Sequence, residues 1–410
     1  MAPNLLRNLM IDYRKALREV LARAKPLGPE SVPLVDALGR ALARDIRARQ
    51  PIPPFSKATM DGYAVRAEDT RRARGAGFAE LEVVEDLPAG RVSRRTVGPG
   101  QAVRIMTGAP LPKGADAVVM VEDTERAGSD VRILTAVRPG DNIGEAGEDV
   151  RKGDLVLGKG ADIGPAEVGM LAALGHASVP VSRRPVVAVI ATGDEIVEPG
   201  RKTRPGQIRN SNGPALRAMA LQAGARADYL GIARDRNASL KLKIGNARKA
   251  DLLVLSGGVS VGDYDLVKDE LRSLGVRPVF WQVRIKPGKP VFFGLHGYQL
   301  VFGLPGNPTS AMVTFHLFVR PAIDKMLGRR TPGLHAGKAV LEKEITLKPG
   351  RTQFLRAVLA GEGPELRVDP FPDQKSGVLR SMVGSRALIV APADVSRIEK
   401  GSVVDILFLD

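Results

Sequence analysis

A turn of small residues follows an apolar segment near the middle of the chain. Leu252–Leu255 is long enough for a buried strand and too short for a helix, and a helical apolar pattern resumes after the turn. A strand, a glycine turn and a helix in this order aim backbone N–H groups and a helix N-terminus at an anion. The sequence therefore predicts a phosphate-binding turn, with an ordinary strand-to-helix connection as the alternative. The candidate binding residues are Ser256, Gly257, Gly258 and Ser260.

The residues after this turn are acidic. Gly257 and Gly262 have the spacing of a P-loop, but Asp263 stands where a P-loop has its lysine. The dinucleotide-binding pattern G-x-G-x-x-G is also absent. Acids in place of the lysine indicate that a bound cation mediates the phosphate contact.

Carboxylates follow three predicted strands, at the point where each strand ends. Glu195 follows the strand PVVAVIA, Asp235 follows YLGIA, and Asp265 follows the glycine turn. Ligands of open α/β sheets bind outside the carboxyl ends of the strands. Three carboxylates at one such edge predict a Mg²⁺ site, because Mg²⁺ takes one or two carboxylates together with substrate phosphate oxygens. For each acid alone, the alternative is a surface residue or a helix cap.

Two lysines flank a Pro-Gly pair in the segment KPGK. Proline at the second position and glycine at the third are typical of a type II turn, whose ends lie within ~7 Å of each other. Lys286 and Lys289 are therefore predicted to lie close together, which costs repulsion unless an anion lies between them. The alternative is a solvated hairpin tip.

The segment GLPGNP, residues 303–308, ends a predicted strand and begins an apolar helix. Asn307 is the predicted helix cap and Pro308 suits the first helical turn. With Gly306, these residues would build a second positive helix end beside the first. The same residues also begin a helix well without any ligand.

Asp61 stands in SKATMDGYAV, residues 56–65, behind the proline-rich connector QPIPPF. Three prolines fix φ along the connector, and a glycine follows the acid. We therefore expect Asp61 to project one carboxylate across an interface.

The composition excludes several kinds of chemistry. The chain has no cysteine, which excludes disulfides, thiolate zinc sites and cysteine nucleophiles, and its four histidines are widely scattered. No Ser-His-Asp order or H-E-x-x-H motif occurs. Carboxylates, lysines and glycine turns instead suit phosphoryl or nucleotidyl chemistry with a metal ion, where charge placement supplies most of the catalysis.

A net charge of +16 indicates anionic partners. Nucleic acid is not predicted among them, because aromatic residues make up only 4% of the chain and no nucleic-acid-binding signature occurs. No apolar run reaches the ~18 residues of a membrane span. Charges interrupt Leu5–Leu21, so no signal peptide is predicted there. We expect a cytoplasmic protein without a membrane partner.

The pattern of elements changes along the chain and predicts a multidomain α/β plus β fold. Strands and helices alternate over residues 184–330, which is typical of a doubly wound α/β domain. Short strands with frequent Gly and Pro predict an inserted β domain over 51–144 and a C-terminal β domain over 331–410. The remaining segments, 1–50 and 145–183, are predicted to form one helical, elongated N-terminal domain.

Helical spacing is predicted in particular places. Amphipathic helices are expected over residues 10–25 and 35–46, and a long apolar helix over 309–327. Asn212 is expected to cap a further helix, with Pro214 close to its start.

Seven motifs together resemble those of a known family. In chain order they are SKATMDGYAV, RIMTGAPLP, GEDV, ATGDEIVEPG, SGGVSVGDYD, KPGKPVFFG and GLPGNPTSAMVTF. This order and spacing resemble the molybdopterin molybdenumtransferase (MoeA) family, which inserts molybdenum in molybdenum cofactor biosynthesis and has the C-terminal domain of gephyrin as its eukaryotic counterpart. The motifs run from Ser56 to Phe315, and the flanking domains extend the resemblance to nearly the whole chain. The resemblance implies that the central α/β domain has the molybdopterin-binding fold.

The resemblance implies a reaction in which adenylylated molybdopterin and molybdate give molybdenum cofactor and AMP, with Mg²⁺ as cofactor. It implies an elongated homodimer with a cleft between the α/β domain of one subunit and the N-terminal domains of the other. A molybdopterin adenylyltransferase is the candidate protein partner. By motif, the implied functional positions are Asp61, Thr107, Asp149, Lys286 and Lys289, Mg²⁺ at Glu195, Asp235 and Asp265, and Arg356 and Ser376 from the C-terminal domain.

One position departs from the family pattern. Members often carry Ser three residues before the MDGYAV aspartate, whereas this chain has Ala58. A hydroxyl contact near Asp61 is therefore expected to be missing.

Two other functions are alternatives. A molybdopterin adenylyltransferase resembles residues 184–329 but does not require the flanking β domains. A non-catalytic scaffold of the gephyrin type is the second, although the sequence has no long linker or extra domain to support it.

Overall fold

The computed structural model describes residues 10–75, 77–234, 236–258, 266–360 and 366–409. The chain divides into two compact units, each made of separate segments. The first unit comprises Met1–Arg44, Lys159–Gly164 and Ser178–Asp410, and the second Asp45–Gly158 and Pro165–Ala177. Within the described residues, none of the helices has the length and apolar content needed to cross a membrane.

The described residues between 10 and 182 form two α-helices and thirteen short strands. In chain order these are β1 (Met10–Ile11), α1 (Tyr13–Arg23), β2 (Pro29–Pro33), β3 (Ile46–Arg47), β4 (Lys57–Ala58), β5 (Gly62–Val65), β6 (Ala79–Leu87), β7 (Gln101–Ile105), β8 (Ala117–Met120), β9 (Thr124–Ala127), β10 (Asp130–Ile133), β11 (Ile143–Gly144), β12 (Leu155–Leu157), α2 (Pro165–Ala173) and β13 (Ser178–Ser182). Single 3₁₀ turns occur at Leu34–Asp36, Ala67–Thr70 and Val121–Asp123.

The second unit is built on a six-stranded sheet in the order β8-β5-β7-β6-β10-β9. Successive residues of a strand point to opposite faces. On β5, Tyr63 and Val65 join one buried cluster and Ala64 joins another. Both faces of the sheet are therefore packed, and the β fold predicted for this part of the chain is confirmed.

Two predicted helices of the first unit differ from the structure. Helix α1 begins at Tyr13, because the Asp12 carboxylate accepts hydrogen bonds from the backbone N–H groups of Arg14 and Lys15. Met10–Ile11 instead forms strand β1 of the central sheet.

The predicted helix over 35–46 is wrong. Val35 is 87% exposed, and Gly39 has a φ of 72°, which a helix cannot accommodate. Leu42 is buried by bridging to Val181, a contact between residues far apart in sequence. Its apolar neighbours therefore do not form one helical face.

Residues 186–326 form an α/β domain. In chain order its elements are β14 (Val186–Thr192), β15 (Ile196–Val197), β16 (Ile208–Arg209), α3 (Asn212–Gln222), β17 (Arg226–Ala233), α4 (Asn237–Asn246), β18 (Leu252–Ser256), α5 (Leu266–Ser273), β19 (Arg277–Val283), β20 (Ile285–Lys286), β21 (Pro290–His296), β22 (Gln299–Leu304), α6 (Pro308–Thr314), a π-helical turn (Phe315–Val319) and α7 (Arg320–Met326).

The central sheet has the order β1-β19-β21-β22-β18-β14-β17. Strands β22, β18, β14 and β17 are parallel, as predicted, whereas β21 runs antiparallel to both of its neighbours. Strand β18 is buried throughout, and its residues alternate between two clusters on opposite faces of the sheet. Helices therefore cover both faces, which confirms the doubly wound architecture.

The predicted long helix over 309–327 is present as one helical run interrupted by the π-helical turn. His316 lies in this turn with 6% of its surface exposed, and burial together with the positive charge of Arg320 lowers its pKa to about 3. No hydrogen-bond partner for its Nδ1 is found among the described residues. His316 is therefore neutral in the folded protein.

We expect the free energy of unfolding to fall as the pH is lowered below about 6.5, because His316 takes up a proton more readily in the unfolded chain than in the folded one. Each pH unit below the pKa of the unfolded chain costs about 1.36 kcal/mol. Because pH 5 lies about 1.5 units below that pKa, the loss at pH 5 is about 2 kcal/mol. Urea unfolding at pH 5 and pH 7 measures this difference in the free energy of unfolding. The His316→Gln variant should lose this part of the pH dependence, and His296→Gln, at a partly exposed position, should keep it.

The C-terminal residues form a closed sheet. The strands of this part of the chain are β23 (Ala336–Leu341), β24 (Ile345–Thr346), β25 (Thr352–Ala360), β26 (Arg367–Pro370), β27 (Ala387–Ala391), β28 (Arg397–Ile398) and β29 (Val403–Phe408), with a 3₁₀ turn at Leu379–Met382. Strands β24 and β28 pair only with each other, outside the closed sheet. The order is β20-β25-β26-β23-β29-β27, and β27 pairs again with β25, so the sheet closes on itself. Strand β20 comes from the α/β domain and joins this barrel beside β25. The predicted C-terminal β fold is confirmed.

Candidate functional site

The carboxyl ends of four parallel strands lie at one edge of the central sheet. Strands β17, β14, β18 and β22 are consecutive neighbours and run in the same direction. The predicted glycine turn follows β18, and the Pro305–Asn307 turn follows the adjacent β22. The three strands from which carboxylates were predicted to project are therefore neighbours, as the sequence indicated.

The glycine turn depends on its close approach to the neighbouring strand. Gly257 and Gly258 have φ values of 96° and 63°, a region that favours glycine. A Cβ atom on Gly257 would lie 2.7 Å from the carbonyl oxygen of Thr192 and 2.9 Å from its hydroxyl. Gly306 lies on the other side, where its added Cβ would meet the Cα of Gly257 at 3.6 Å. Two predicted turns thus pack against each other through glycine.

Asn212 connects these two turns. Its side-chain amide donates to the Ser256 hydroxyl at 2.8 Å and to the Gly306 carbonyl at 2.7 Å. The sequence predicted Asn212 to be the helix cap, which is wrong, because Ser211 is the N-cap residue and the side chain of Asn210 accepts the hydrogen bond from the backbone N–H of Gly213 at 3.0 Å. Asn212 is the first residue of α3 and is free to bind the turns.

Tyr229 and Glu198 support the helix start. The Asn210 amide donates to the Tyr229 hydroxyl at 2.6 Å, and that hydroxyl donates to Glu198 at 2.8 Å. Burial, followed by the hydrogen bond to Glu198, raises the pKa of Tyr229. The tyrosine therefore stays protonated and holds Asn210 in its capping position.

Asn307 meets the C-terminal domain. It lies at the predicted N-cap position of α6, but its side chain makes no capping hydrogen bond and its amide donates instead to the Ser376 hydroxyl at 3.0 Å. Thr309 donates to the carbonyl of Val378 at 3.0 Å. Two residues predicted independently, Asn307 and Ser376, are thus in contact.

Arg356 is fully buried below the loop that carries Ser376. Its guanidinium donates to the Ser381 hydroxyl at 3.0 Å and to the carbonyls of Asp373 and Lys375 at 3.2 and 3.1 Å. Burial lowers the pKa of Arg356 to about 10. This geometry makes Arg356 a residue that positions the loop of Ser376; its direct contact with a substrate stays a prediction.

The lysine pair lies where the central sheet passes into the barrel. Lys286 is exposed and pairs with Gln353 across β20 and β25, and Lys289 is half-buried. Gly288 has a φ of 99°, as the third position of a type II turn requires. The Lys286–Pro287 peptide is cis, and the type II turn stays a prediction. Proline tolerates both isomers, and the four-residue pattern does not distinguish them.

The predicted metal site is described only in part, because Asp235 and Asp265 lie outside the described residues, as does Ser260 of the predicted glycine turn. Glu195 is exposed, and a Cβ atom on Gly193 would lie 2.7 Å from one of its carboxylate oxygens. Arg234 holds this loop by donating to the carbonyls of Asp194 and Ile196 at 3.0 and 3.2 Å. In the part of the chain that the structure describes, no group of three metal-ligating side chains occurs. An exposed carboxylate such as that of Glu195 is a ligand that Mg²⁺ accepts, so the Mg²⁺ site stays a prediction.

In the second unit, Asp61 and Thr107 are in contact. One carboxylate oxygen of Asp61 accepts hydrogen bonds from the Thr107 hydroxyl at 2.6 Å and from the Thr107 backbone N–H at 2.7 Å. The hydroxyl bond, and then the backbone bond, lower the pKa of Asp61. Both residues are exposed, so Asp61 presents an ionised carboxylate in a fixed orientation.

Thr107→Val should raise the pKa of Asp61 towards its ordinary value, because the strongest hydrogen bond to the ionised form is removed. The backbone N–H bond remains, so the pKa should stay below the ordinary value. In the wild type, these hydrogen bonds to ionised Asp61 stabilise the folded protein at pH values above the pKa that Asp61 has in the unfolded chain. This stabilisation is lost as the pH falls through the lower pKa that Asp61 has in the folded protein. A carboxyl carbon NMR titration of Asp61 measures the change. An unchanged titration would contradict the assignment.

Ala58 shows why the missing hydroxyl does not disturb this contact. Ala58 is completely buried in the core, and its carbonyl accepts from the backbone N–H of Gly108 at 2.8 Å. The expected lack of a hydroxyl is real at this position, but Thr107 supplies one to Asp61.

Asp149 is exposed on a loop that is bound to the proline-rich connector. Its backbone N–H donates to the Ile52 carbonyl at 3.1 Å, and the Gly147 N–H donates to the Pro53 carbonyl at 2.9 Å. The Ile52–Pro53 peptide of this connector is cis.

Models of three protein regions match the chain in order. The MoeA N-terminal region (domains I and II) matches residues 11–175, a probable molybdopterin-binding domain matches 188–325, and the MoeA C-terminal region (domain IV) matches 338–409. These three matches, in this order, define a multidomain protein of molybdenum cofactor biosynthesis.

Full-length relatives specify the family. The chain is 39% identical to a molybdopterin molybdenumtransferase of Bacillus subtilis over 97% of this chain and 94% of the relative. It is 38% identical to molybdopterin molybdenumtransferase 2 of Mycobacterium tuberculosis over 95% and 97% of the two chains. A crystal structure of a molybdopterin biosynthesis MoeA protein from Pyrococcus horikoshii superposes with a TM-score of 0.85 at 35% identity, covering 97% of this chain and all of the other. The chain belongs to the MoeA family of molybdopterin molybdenumtransferases.

Proposed function

We propose that this chain transfers molybdenum from molybdate to molybdopterin, with adenylylated molybdopterin as the substrate and AMP as the second product. Water opens the phosphoanhydride bond between the molybdopterin phosphate and AMP, so that each product carries a phosphate group. The two dithiolene thiols bind molybdenum, and one molybdate oxygen leaves as water with the two thiol protons. The observation that carries the proposal is that Asn212 holds two turns together at the carboxyl edge of the sheet. Backbone N–H groups of these turns are the donors that we place against the substrate phosphates. Similarity over the full length to molybdenumtransferases supports it.

In this proposal, the residues of the α/β domain bind the nucleotide part of the substrate. Ser256, Gly257, Gly258 and Ser260 on one turn, and Gly306, Asn307 and Pro308 on the other, receive the pyrophosphate and AMP groups. Ser376 extends this surface from the C-terminal domain through its contact with Asn307. Arg356 holds the Ser376 loop in place.

The charged residues act on the reacting groups. Lys286 and Lys289 receive molybdate or the pyrophosphate, because ammonium groups bind oxyanions as point charges. Glu195, with Asp235 and Asp265, holds Mg²⁺, which supplies positive charge to phosphate oxygens when bound. Asp61, oriented by Thr107, and Asp149 act on the pterin dithiolene or on metal insertion.

The proposal includes a homodimer, with a molybdopterin adenylyltransferase as the protein that supplies the adenylylated substrate. Light scattering after size-exclusion chromatography should give twice the mass of the 43.7 kDa chain. A mass of one chain at micromolar concentration would contradict the dimer.

The reaction is tested by AMP release. Purified protein, adenylylated molybdopterin, molybdate and Mg²⁺ should yield AMP and molybdenum cofactor in equal amounts. A molybdenumtransferase of the family that works under the same conditions serves as the positive control. No AMP release beside a working control would refute the proposed function.

Lys289→Ala should lower the turnover about twentyfold, since a hydrogen bond to a charged group contributes about 1.5–3 kcal/mol. Lys249→Ala removes a lysine from an exposed position of the same domain and should leave the turnover unchanged. Equal rates for the two variants would remove Lys289 from the site.

A further inference from the structure

A group of arginines lies at the amino ends of the strands, the edge of the sheet opposite to the paired turns. Arg184 directly precedes β14, and Arg226 begins the neighbouring β17. The backbone N–H of Arg226 donates to the Pro185 carbonyl at 2.9 Å, so the two segments are adjacent. Arg40 reaches the same place, because its guanidinium donates to the Ser182 carbonyl at 2.7 Å. We call Arg40, Arg184 and Arg226 the arginine cluster.

Two carboxylates lie near the arginine cluster, and each is already bound by one guanidinium group, Glu30 by Arg40 of the cluster and Asp251 by Arg183. Glu30 accepts from Arg40. Asp251 is bound by the adjacent Arg183 through two hydrogen bonds of 2.8 and 3.1 Å. Arg184 and Arg226 have no carboxylate bound to them within the described residues. Two positive charges are therefore left without a bound counter-charge.

Two guanidinium nitrogens of the cluster are buried without acceptors. Arg40 is only 6% exposed, and its Nε has no hydrogen-bond partner among the described residues. The Nε atom of Arg184 is also buried and also has no hydrogen-bond partner among the described residues. Buried N–H donors are almost always paired, so each of these two atoms calls for an acceptor. Burial, and then the charges of Arg40 and Arg226, lower the pKa of Arg184, which indicates that the three cations repel one another.

We propose that the arginine cluster binds a dianionic tetrahedral oxyanion, the class that includes phosphate monoesters, sulfate and molybdate. Such an anion supplies oxygen acceptors to the unpaired Nε atoms and neutralises the two remaining charges. Guanidinium groups suit this task because their N–H donors form a planar fork that matches tetrahedral oxyanions. This site is separate from the paired turns, since it lies at the amino ends of the strands.

Isothermal titration calorimetry of the full chain with inorganic phosphate, sulfate and molybdate, each at matched ionic strength against chloride, tests the proposal. The wild type should bind an oxyanion, and Arg184→Gln and Arg226→Gln should each weaken that binding at least about tenfold, because each removes a charge-assisted hydrogen bond. Arg248→Gln removes the same charge from an exposed position of the same domain and should leave binding unchanged. Comparison of the three anions shows whether phosphate or molybdate is the preferred occupant.

Thermal unfolding separates binding from folding. Without oxyanion, Arg184→Gln should unfold at the same temperature as the wild type or at a higher one, since repulsion is relieved. With phosphate or sulfate, the wild type should gain more stability than the variant. Oxyanion binding that survives in the Arg184→Gln, Arg226→Gln double variant, or is lost only in Lys289→Ala, would overturn the proposal. So would a change of oligomeric state in the double variant without any oxyanion binding, which would assign these arginines to a protein interface.

Discussion

Gly257→Ala is expected to lower the turnover by about a hundredfold to a thousandfold, because displacement of binding groups by ~1 Å costs about a hundredfold. The added methyl group would lie 2.7 Å from the Thr192 carbonyl oxygen, so the turn must move away from β14. The left-handed φ of 96° adds a conformational cost. Both effects displace the backbone N–H groups that we place against the substrate phosphates.

A matched glycine separates the two effects. Gly297 also has a positive φ, of 59°, but no atom lies within 4 Å of its added Cβ. Gly297→Ala should therefore share the conformational cost of about 1 kcal/mol and keep its turnover. AMP release and the melting temperature of both variants are the measurements. A Gly257→Ala protein as active as Gly297→Ala would show that the turn does not bind substrate.

Asn212→Ala is expected to lower the turnover about a hundredfold, because each hydrogen bond lost to an unsatisfied group costs about 1–3 kcal/mol. The Ser256 hydroxyl and the Gly306 carbonyl both lose their donor, and the two turns are no longer fixed against each other. Helix α3 should still form, since Asn210 remains as its cap. The affinity for AMP should fall with the turnover.

Two further variants show whether Asn212 acts through the turns. In a Ser256→Ala background, the loss caused by Asn212→Ala should be smaller, because one of the two contacts is already absent. Asn212→Asp should not rescue activity, as a carboxylate cannot donate to the Gly306 carbonyl. Asn246→Ala, at an exposed position at the end of α4, should have no effect. Additive losses in the double variant would contradict a role through Ser256.

Local sequence signals predicted the strands and turns that carry the site. Short apolar runs placed β14, β17 and β18, and their parallel order followed from the alternation with helices. The GLPGNP turn was predicted for the same reason. The contact between Asn307 and Ser376 joins residues 69 positions apart, so motif resemblance could name both but not their pairing.

Other features depend on contacts that sequence patterns do not contain. The segment 35–46 has helical apolar spacing, yet Leu42 is buried against Val181 rather than in a helix. Asn210, Ser211 and Asn212 are three cap-type residues in a row, and only one can cap α3. More cap-type residues than the helix start needs indicate that one of them, Asn212, makes other contacts. Its two partners, Ser256 and Gly306, are identified only by the folded structure.

The most direct test of our account is a crystal structure of the protein with AMP or adenylylated molybdopterin. We predict phosphate oxygens at about 3 Å from the backbone N–H groups of Gly258, Gly306 and Asn307, because the Gly257 N–H already donates to the Leu304 carbonyl. The Asn212 contacts to Ser256 and Gly306 should be retained. A nucleotide whose phosphates contact neither turn would contradict the account.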